Sequence, residues 1–97
     1  MTATFDTTRC RVAEIEAVTD DIRILRIVAT DTPLFDWRAG QYARFKINGF
    51  EARDYSIANA PGEDFIELHI RRSGAGGFSD FICDDLKQNE PIDVKGA

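Results

Sequence analysis

The segment Tyr42-Ala43-Arg44-Phe45-Lys46-Ile47-Asn48-Gly49 decides the fold class of this chain. Apolar and polar side chains alternate along its first six residues, which places every second side chain, beginning with Ala43, on the buried face of a strand. The Asn48-Gly49 pair that follows is the strongest short signal for a β-hairpin. We therefore predict a half-buried strand that turns at this pair and returns over residues 50–57.

The rest of the chain repeats this pattern of short strands separated by turns. Strands are predicted over residues 9–17, 22–29, 42–47, 50–57, 65–72 and 92–95. Between the last two, Phe78, Ile82 and Leu86 recur every four residues, so residues 78–86 are predicted to form a helix. Six regularly spaced strands favour an all-β fold, a closed antiparallel barrel with one short helix before the last strand, over a layered α/β fold.

Composition excludes several classes of function. The chain has 97 residues, enough for one domain, and a net charge of −5 from 12 basic and 17 acidic residues. This balance argues against binding to nucleic acid or to an anionic membrane surface. No apolar run approaches the roughly 20 residues of a membrane span, and the N-terminus lacks the pattern of a signal peptide.

The counts of metal-binding side chains are equally informative. One histidine and two cysteines, Cys10 and Cys83, are too few for a four-cysteine zinc site or an iron–sulfur cluster built by this chain alone. We therefore predict no metal site. Two unpaired thiols indicate a cytoplasmic protein.

A glycine-rich loop is the first candidate site. Gly74-Ala75-Gly76-Gly77 leads into the predicted helix, whose first turn holds Ser79. Free N–H groups at a helix start, beside a hydroxyl, can bind an anion. Asp80 would repel a phosphate if its carboxylate pointed inward. The alternative is a flexible connector in which Ser79 only caps the helix.

Arginine and tyrosine form the second candidate, in Arg53-Asp54-Tyr55-Ser56. Alternation puts Arg53 and Tyr55 on one face, where a guanidinium can bind phosphate and an aromatic ring can stack on a flat ligand. The alternative is a surface arginine packed along a tyrosine. The pair Arg71-Arg72 would by itself be a solvated basic pair. Together, arginines beside the tyrosine and the glycine loop of an acidic protein favour an anionic ligand with an aromatic part.

The order of these pieces resembles the flavin-binding domain of the ferredoxin–NADP reductase superfamily, in the branch of oxygenase reductases. Residues 53–59 are similar to the flavin motif RxYSxxN, and Gly76-Gly77-Phe78-Ser79 is similar to the phosphate motif GxxS/T. Gly40-Gln41-Tyr42 resembles the strand entry GQY of that family. Residues 68–72 correspond to a family strand that ends in a basic residue. The resemblance covers almost the whole chain from Cys10 onward.

The resemblance implies a six-stranded antiparallel Greek-key barrel that binds FAD, with FMN as the less favoured alternative. Arg53 would pair with the pyrophosphate. Tyr55 would stack on the isoalloxazine and Ser56 would hydrogen-bond near N5, which makes these two the catalytic residues. The other implied cofactor-binding residues are His69, Ile70, Arg71, Gly76, Gly77, Phe78 and Ser79. Ser56 and Tyr55 lie on opposite faces of the strand, so both can reach one flavin only if the strand bends or ends nearby.

The resemblance also implies an activity, hydride transfer from NAD(P)H to the flavin and electron transfer onward to an iron–sulfur or oxygenase partner. A nicotinamide-binding domain is expected after Ala97, so that residues 9–97 form a flavin-holding domain, preceded by the polar segment 1–8, with little reductase activity alone. One alternative is a cofactor-free β-barrel that acts as a protein-interaction module, which substitution of Arg53 would leave unaffected. An RNA-binding barrel is disfavoured by the acidic charge.

Overall fold

The computed structural model describes residues 7–96, which form six strands and one short helix. The predicted domain end at Ala97 and most of the polar segment 1–8 lie outside the described residues. The strands are β1 (Thr7–Thr19), β2 (Ile22–Ala29), β3 (Tyr42–Lys46), β4 (Arg53–Ser56), β5 (Ile66–Arg71) and β6 (Pro91–Gly96). Helix α1 (Phe78–Asp84) lies between β5 and β6. The first strand begins two residues earlier than predicted.

All strand pairs are antiparallel, and the order in the sheet is β4-β3-β6-β1-β2-β5. The long strand β1 pairs with β6 over residues 7–11 and with β2 over residues 10–19. Two register shifts, one between Val12 and Glu14 and one between Ala17 and Thr19, bend β1. The connections from β2 to β3 and from β5 to β6 each pass over other strands, as in a Greek key. The predicted six-stranded antiparallel barrel with one helix before the last strand is confirmed, and the structure shows that this barrel is nearly closed.

The core consists of the side chains that alternation predicts to point inward. In β3 the buried residues are Ala43 and Phe45, and in β5 they are Ile66, Leu68 and Ile70. The largest fully buried side chains are Phe45, Leu25, Ile27, Ile47, Ile57, Ile66, Leu68, Ile70, Ile82, Ile92, Val12 and Val94. Burial of this apolar surface supplies the main free energy that holds the strands together.

The barrel is closed between its edge strands by Asn59, just beyond the end of β4. The Asn59 amide donates to the Phe65 carbonyl at 2.7 Å, and its oxygen accepts the Glu67 N–H at 2.9 Å. Next to it, the Ala58 N–H donates to the Glu67 carbonyl at 2.8 Å. One side chain thus supplies part of the hydrogen bonding that a continuous ladder would otherwise provide.

The predicted tight hairpin at Asn48-Gly49 is corrected by the structure. The turn is present, since the Phe50 N–H donates to the Ile47 carbonyl at 3.1 Å, but only Gly49 has a positive φ, of 95°. Both favoured two-residue hairpin turns, types I′ and II′, need a positive φ at the first central position, which Asn48 lacks, and β4 starts at Arg53 rather than at Phe50. The Phe50 ring packs instead on Phe81 of α1, with ring centroids 4.7 Å apart. Packing against the helix therefore takes residues 50–52 out of the ladder.

Helix α1 ends two residues before the predicted Leu86. The Leu86 N–H donates to the Phe81 carbonyl five residues earlier, at 3.0 Å, which departs from the α-helical pattern. Leu86 still packs against the core, so the predicted apolar stripe continues beyond the regular helix.

We expect Asn59→Ala to lower the free energy of unfolding by about 1–3 kcal/mol, because two partly buried side-chain hydrogen bonds to the backbone are lost. Urea denaturation of the 97-residue chain measures this. Asn48→Ala is the matched control, because Asn48 is exposed and makes no side-chain hydrogen bond within residues 7–96. An Asn59→Ala variant as stable as the Asn48→Ala variant would contradict the closing role of Asn59.

Candidate functional site

The edge strands β4 and β5 meet at only one end, and the gap between their other ends is the candidate site. β4 and β5 stand at opposite ends of the sheet order, and no ladder joins them within residues 7–96. Their connection is made just beyond β4, at Ala58 and Asn59. We call the space between Arg53–Ser56 and the end of β5, next to the glycine loop 73–77, the β4–β5 opening. Its strand edges keep backbone groups that no neighbouring strand uses.

Tyr55 and Arg53 lie on the face of β4 that borders this opening. They pair with Ala43 and Phe45 of β3, and residues paired across two strands share a face, so both are on the inner side. The half-buried Tyr55 ring contacts Phe45, at 6.1 Å between centroids, and also Phe78 at the start of α1, at 5.9 Å. The structure thus brings Tyr55 and Phe78, two of the predicted site residues, into contact.

Burial favours the neutral form of the Tyr55 hydroxyl. Burial raises the pKa of the Tyr55 phenol above its usual value, while the positive charge of Arg53 acts in the opposite direction. A neutral phenol retains its O–H as a hydrogen-bond donor. Arg53 itself is exposed and forms no ion pair among the residues that the structure describes. Its guanidinium is therefore available to an anionic ligand.

The two arginines that end β5 differ in what they contact. Arg72 bridges Asp21, at 3.2 Å, and Asp84 of the helix, at 2.7 Å, and it also donates to the Asp20 carbonyl. It ties the β1–β2 turn to α1, so the expectation of a solvated pair is wrong for this residue. Arg71 is exposed and, within residues 7–96, has no ion pair. Of these two, Arg71 is the one left for a ligand.

Asp54 and Ser56 point to the opposite face of β4. Arg44 binds the Asp54 carboxylate through two nitrogens, at 2.8 and 3.2 Å, and holds the pKa of Asp54 below its usual value. The Ser56 hydroxyl donates to the Gly40 carbonyl at 3.0 Å. β4 ends at Ser56, although the Ile57 N–H still donates to the Gln41 carbonyl at 2.8 Å and so continues the pairing with β3 by one residue. Ser56 is thus the last residue of the strand, on the face opposite to Tyr55.

The predicted residues of β5 alternate between the two faces of the strand. Ile70 has 0% exposed surface in the core, so only its backbone can border a ligand. His69 is exposed on the outer face, where its Nε2 lies 2.8 Å from a carboxylate oxygen of Glu67. Glu67 also accepts a hydrogen bond from Arg26, and both partners hold the pKa of Glu67 below its usual value. The side chains of His69 and Ile70 thus have partners of their own.

The glycine loop is held by Asp80, a role that the sequence did not reveal. The N–H groups of Ser73 and Gly74 each donate to Asp80 Oδ1 at 2.9 Å, and that of Gly76 donates to Oδ2 at 2.5 Å. The carboxylate therefore turns back toward the loop that precedes it. In the sequence, the signal for this contact is an acidic residue placed four to seven positions after the three donor residues.

The first turn of α1 lacks a side-chain cap. Gly77 occupies the N-cap position, so the alternative that Ser79 caps the helix is wrong. Within the described residues, the first N–H of the helix to find a partner is that of Phe81, which donates to the Gly77 carbonyl at 3.0 Å. The hydroxyl of Ser79 makes no hydrogen bond there either. Gly77, Phe78 and Ser79 thus retain donors for an anion.

Both thiols are unpaired and buried. Burial, and secondarily the charge of Asp93, raises the pKa of the Cys10 thiol to about 12. Cys83 is buried in α1, with its sulfur 3.7 Å from the Asp21 carbonyl. Within residues 7–96, no three metal-binding side chains come together as a cluster. No helix in that part of the chain has the length and apolar character needed to cross a bilayer.

Comparison with known proteins identifies the family to which this domain belongs. The model of the oxidoreductase FAD-binding domain family matches residues 9–97. The chain belongs to this family. It is therefore an FAD-binding domain of the ferredoxin-reductase type, which decides against the cofactor-free barrel and the RNA-binding barrel.

Two relatives of this FAD-binding domain are named as reductases. It is 42% identical over 88 residues to the CDP-6-deoxy-L-threo-D-glycero-4-hexulose-3-dehydrase reductase of Yersinia pseudotuberculosis, covering 90% of this chain and 26% of the relative. It is 31% identical over 85 residues to the ferredoxin–NAD(P)(+) reductase component of the naphthalene 1,2-dioxygenase system of Pseudomonas putida, covering 88% and 25%. The chain thus spans about a quarter of the length of these relatives.

A solved structure supports the same assignment. The ferredoxin reductase in carbazole 1,9a-dioxygenase superposes with a TM-score of 0.83 at 25% identity, over 93% of this chain and 28% of that one. The FAD-binding domain described here therefore has the fold found in a known ferredoxin reductase.

The residues of the β4–β5 opening fit FAD. An arginine without an ion pair within residues 7–96, an aromatic ring half-exposed on the same face, and first-turn N–H groups without a side-chain cap match a pyrophosphate and a flat ring system. Sequence analysis missed Asn59 as the closing residue and Asp80 as the anchor of the loop. Both make contacts that strand and helix periodicity do not encode.

We expect neither thiol of the folded domain to react with a water-soluble disulfide reagent at pH 8, because both are buried and the Cys10 thiol stays protonated. Both should react in urea. Ala39→Cys, at an exposed turn position, is the control that must react while the protein is folded. Rapid labelling of the folded wild-type chain would contradict the burial of both thiols.

Proposed function

We propose that this chain is the FAD-holding part of an NAD(P)H-dependent flavin reductase that delivers electrons to an iron–sulfur or oxygenase partner. The nicotinamide-binding domain belongs to the same polypeptide in this proposal, and the protein works in the cytoplasm. The chemistry that FAD supplies when bound is acceptance of a hydride from the nicotinamide and release of single electrons. The task of the chain is to hold and orient the cofactor.

The observation that carries the proposal is the pair Arg53 and Tyr55 on one face of an open edge strand. A guanidinium without an ion pair in the described residues gives a dianionic pyrophosphate a charge-assisted partner in a chain that is otherwise acidic. The Tyr55 ring offers an aromatic face to the isoalloxazine, and its contacts with Phe45 and Phe78 fix its position. We assign pyrophosphate pairing to Arg53 and ring stacking to Tyr55.

Donors on the glycine side complete the proposed cofactor site. Gly76, Gly77, Phe78 and Ser79 hold the pyrophosphate through backbone N–H groups and the Ser79 hydroxyl. Because the Gly76 N–H already donates to Asp80, most hydrogen bonds to the pyrophosphate are assigned to Gly77, Phe78 and Ser79. Arg71 adds charge along the phosphate path. Ile70 contributes backbone only, and His69 contributes its imidazole edge.

Ser56 is proposed to contact the reactive edge of the flavin ring. Its hydroxyl donates to the Gly40 carbonyl, so its oxygen lone pairs remain for a hydrogen-bond donor. To donate in turn, the hydroxyl must rotate away from Gly40. The Ser56 hydroxyl can therefore accept a hydrogen bond from a protonated ring edge, or rotate and donate one to an unprotonated ring edge. We assign Ser56 and Tyr55 as the catalytic residues.

Relatives that are reductase components support the electron-transfer part of the proposal. Their names specify a dehydrase system and a dioxygenase system, so the acceptor differs from one member to another. The acceptor of this chain is proposed only as a class, an iron–sulfur or oxygenase protein. FAD is preferred to FMN because the family model is that of an FAD-binding domain.

We expect Arg53→Ala to weaken FAD binding to the 97-residue chain by about 10- to 100-fold, because a hydrogen bond to a charged group contributes roughly 1.5–3 kcal/mol. Quenching of flavin fluorescence during titration measures the affinity. Arg9→Ala is the matched control, since Arg9 is an exposed arginine of β1 with no ion pair among residues 7–96.

The control separates site from net charge. Arg9→Ala makes the same charge change and should alter the FAD affinity less than about twofold. Equal losses in the two variants would show that only net charge matters. Absence of FAD binding by the wild-type chain would overturn the proposed function.

We expect NADH to reduce FAD bound to this chain no faster than it reduces free FAD, because the domain proposed to orient the nicotinamide is not among these residues. Anaerobic bleaching of the visible flavin absorbance measures the rate. Dithionite serves as the positive control that the bound FAD can be reduced. A rapid, saturable reaction with NADH would contradict the proposed division of labour.

A further inference from the structure

The loop 73–77 forms an anion-binding concavity that is already occupied by a side chain of the same domain. The Asp80 carboxylate accepts hydrogen bonds from the N–H groups of Ser73, Gly74 and Gly76, and the Ser73 hydroxyl lies 3.3 Å from Oδ1. Converging backbone N–H groups of this kind bind anions. These bonds hold the pKa of Asp80 below its usual value, so the carboxylate stays ionised near neutral pH.

The loop conformation depends on these bonds. Gly74 and Gly76 have φ of 82° and 80°, which is the left-handed region that only glycine enters without strain. The remaining N–H, of Ala75, donates to the Ser73 hydroxyl at 3.1 Å. A glycine-rich segment has a large conformational entropy to lose, so it needs such an anchor to be ordered. Four successive N–H groups thus turn inward, while the N–H groups that follow them have no side-chain cap.

Two effects of Asp80 on a bound pyrophosphate oppose each other. Its negative charge repels a dianionic group nearby. Its hydrogen bonds order the loop before the ligand arrives, which reduces the entropy that binding must cost. The charge is spread over three N–H dipoles and is partly exposed to solvent, and both features weaken the repulsion.

We propose that Asp80 is a positioning residue for the FAD pyrophosphate: by filling the N–H concavity of Ser73, Gly74 and Gly76, it directs the phosphates to the N–H groups of Gly77, Phe78 and Ser79. This inference rests on the proposed function, in which those three residues hold the pyrophosphate. It assigns a binding role to a residue that repels the ligand by charge, which the cofactor-contact residues alone do not suggest.

Asp80→Asn tests the inference, because the amide keeps the shape, removes the charge and offers one acceptor where the carboxylate offers two. We expect FAD binding to weaken by roughly tenfold, as charge-assisted hydrogen bonds to the loop are lost. Binding of riboflavin, which carries the ring but no phosphate, should change less than about twofold. Asp85→Asn is the control: it makes the same charge change at the other end of α1, and within residues 7–96 the Asp85 side chain makes no hydrogen bond or ion pair.

Four outcomes are distinguishable when all variants are titrated at a temperature where circular dichroism shows them folded. Weaker FAD binding by Asp80→Asn alone, with riboflavin unaffected, supports the inference. Unchanged or tighter FAD binding by Asp80→Asn overturns it, since repulsion would then dominate. Equal losses for FAD and riboflavin overturn it too, since the role would be general stability. Failure of the wild type to bind FAD overturns the proposed function and, with it, the inference.

Discussion

Closure of the barrel at one end of its edge strands is the constraint on which the rest of the structure depends. Asn59 joins the end of β4 to β5 through two side-chain hydrogen bonds, and no ladder continues beyond it within the described residues. Had the ladder continued, Arg53 would face a closed apolar core, where an unpaired guanidinium is strongly unfavourable. The opening allows an inward-facing arginine to remain in contact with water and with a ligand.

Alternation and helical spacing were enough to predict the six strands and the helix along the chain, because burial of apolar side chains determines both. The features that could not be predicted depend on contacts between distant segments. Phe50 leaves the ladder because it packs on Phe81, and no local propensity records that contact. Asn59 was visible only as the last position of a motif, because its partners lie on another strand.

The candidate site, like the fold, combines features that the sequence predicts with features that depend on contacts between distant segments. Arginine, tyrosine and glycines are recognisable by residue type, but the sequence does not say which arginine is free to bind. Arg72 is engaged by Asp21 and Asp84, whereas Arg53 and Arg71 have no ion pair in the described part of the chain. An acidic protein can therefore still hold a dianion, because the position of a few cations, rather than net charge, sets the local potential.

In the segment from Arg53 to Ser56, Asp54 and Ser56 hold the strand so that Arg53 and Tyr55 face the opening. Asp54 is fixed to Arg44 and Ser56 to the Gly40 carbonyl, both on the outer face of the β3–β4 pair. These contacts set the register in which Arg53 and Tyr55 face the opening, because a slip of one residue would exchange the two faces. The residues that point away from the opening thus determine which residues face the ligand. Both sets are needed, which explains why the motif is one continuous stretch of sequence.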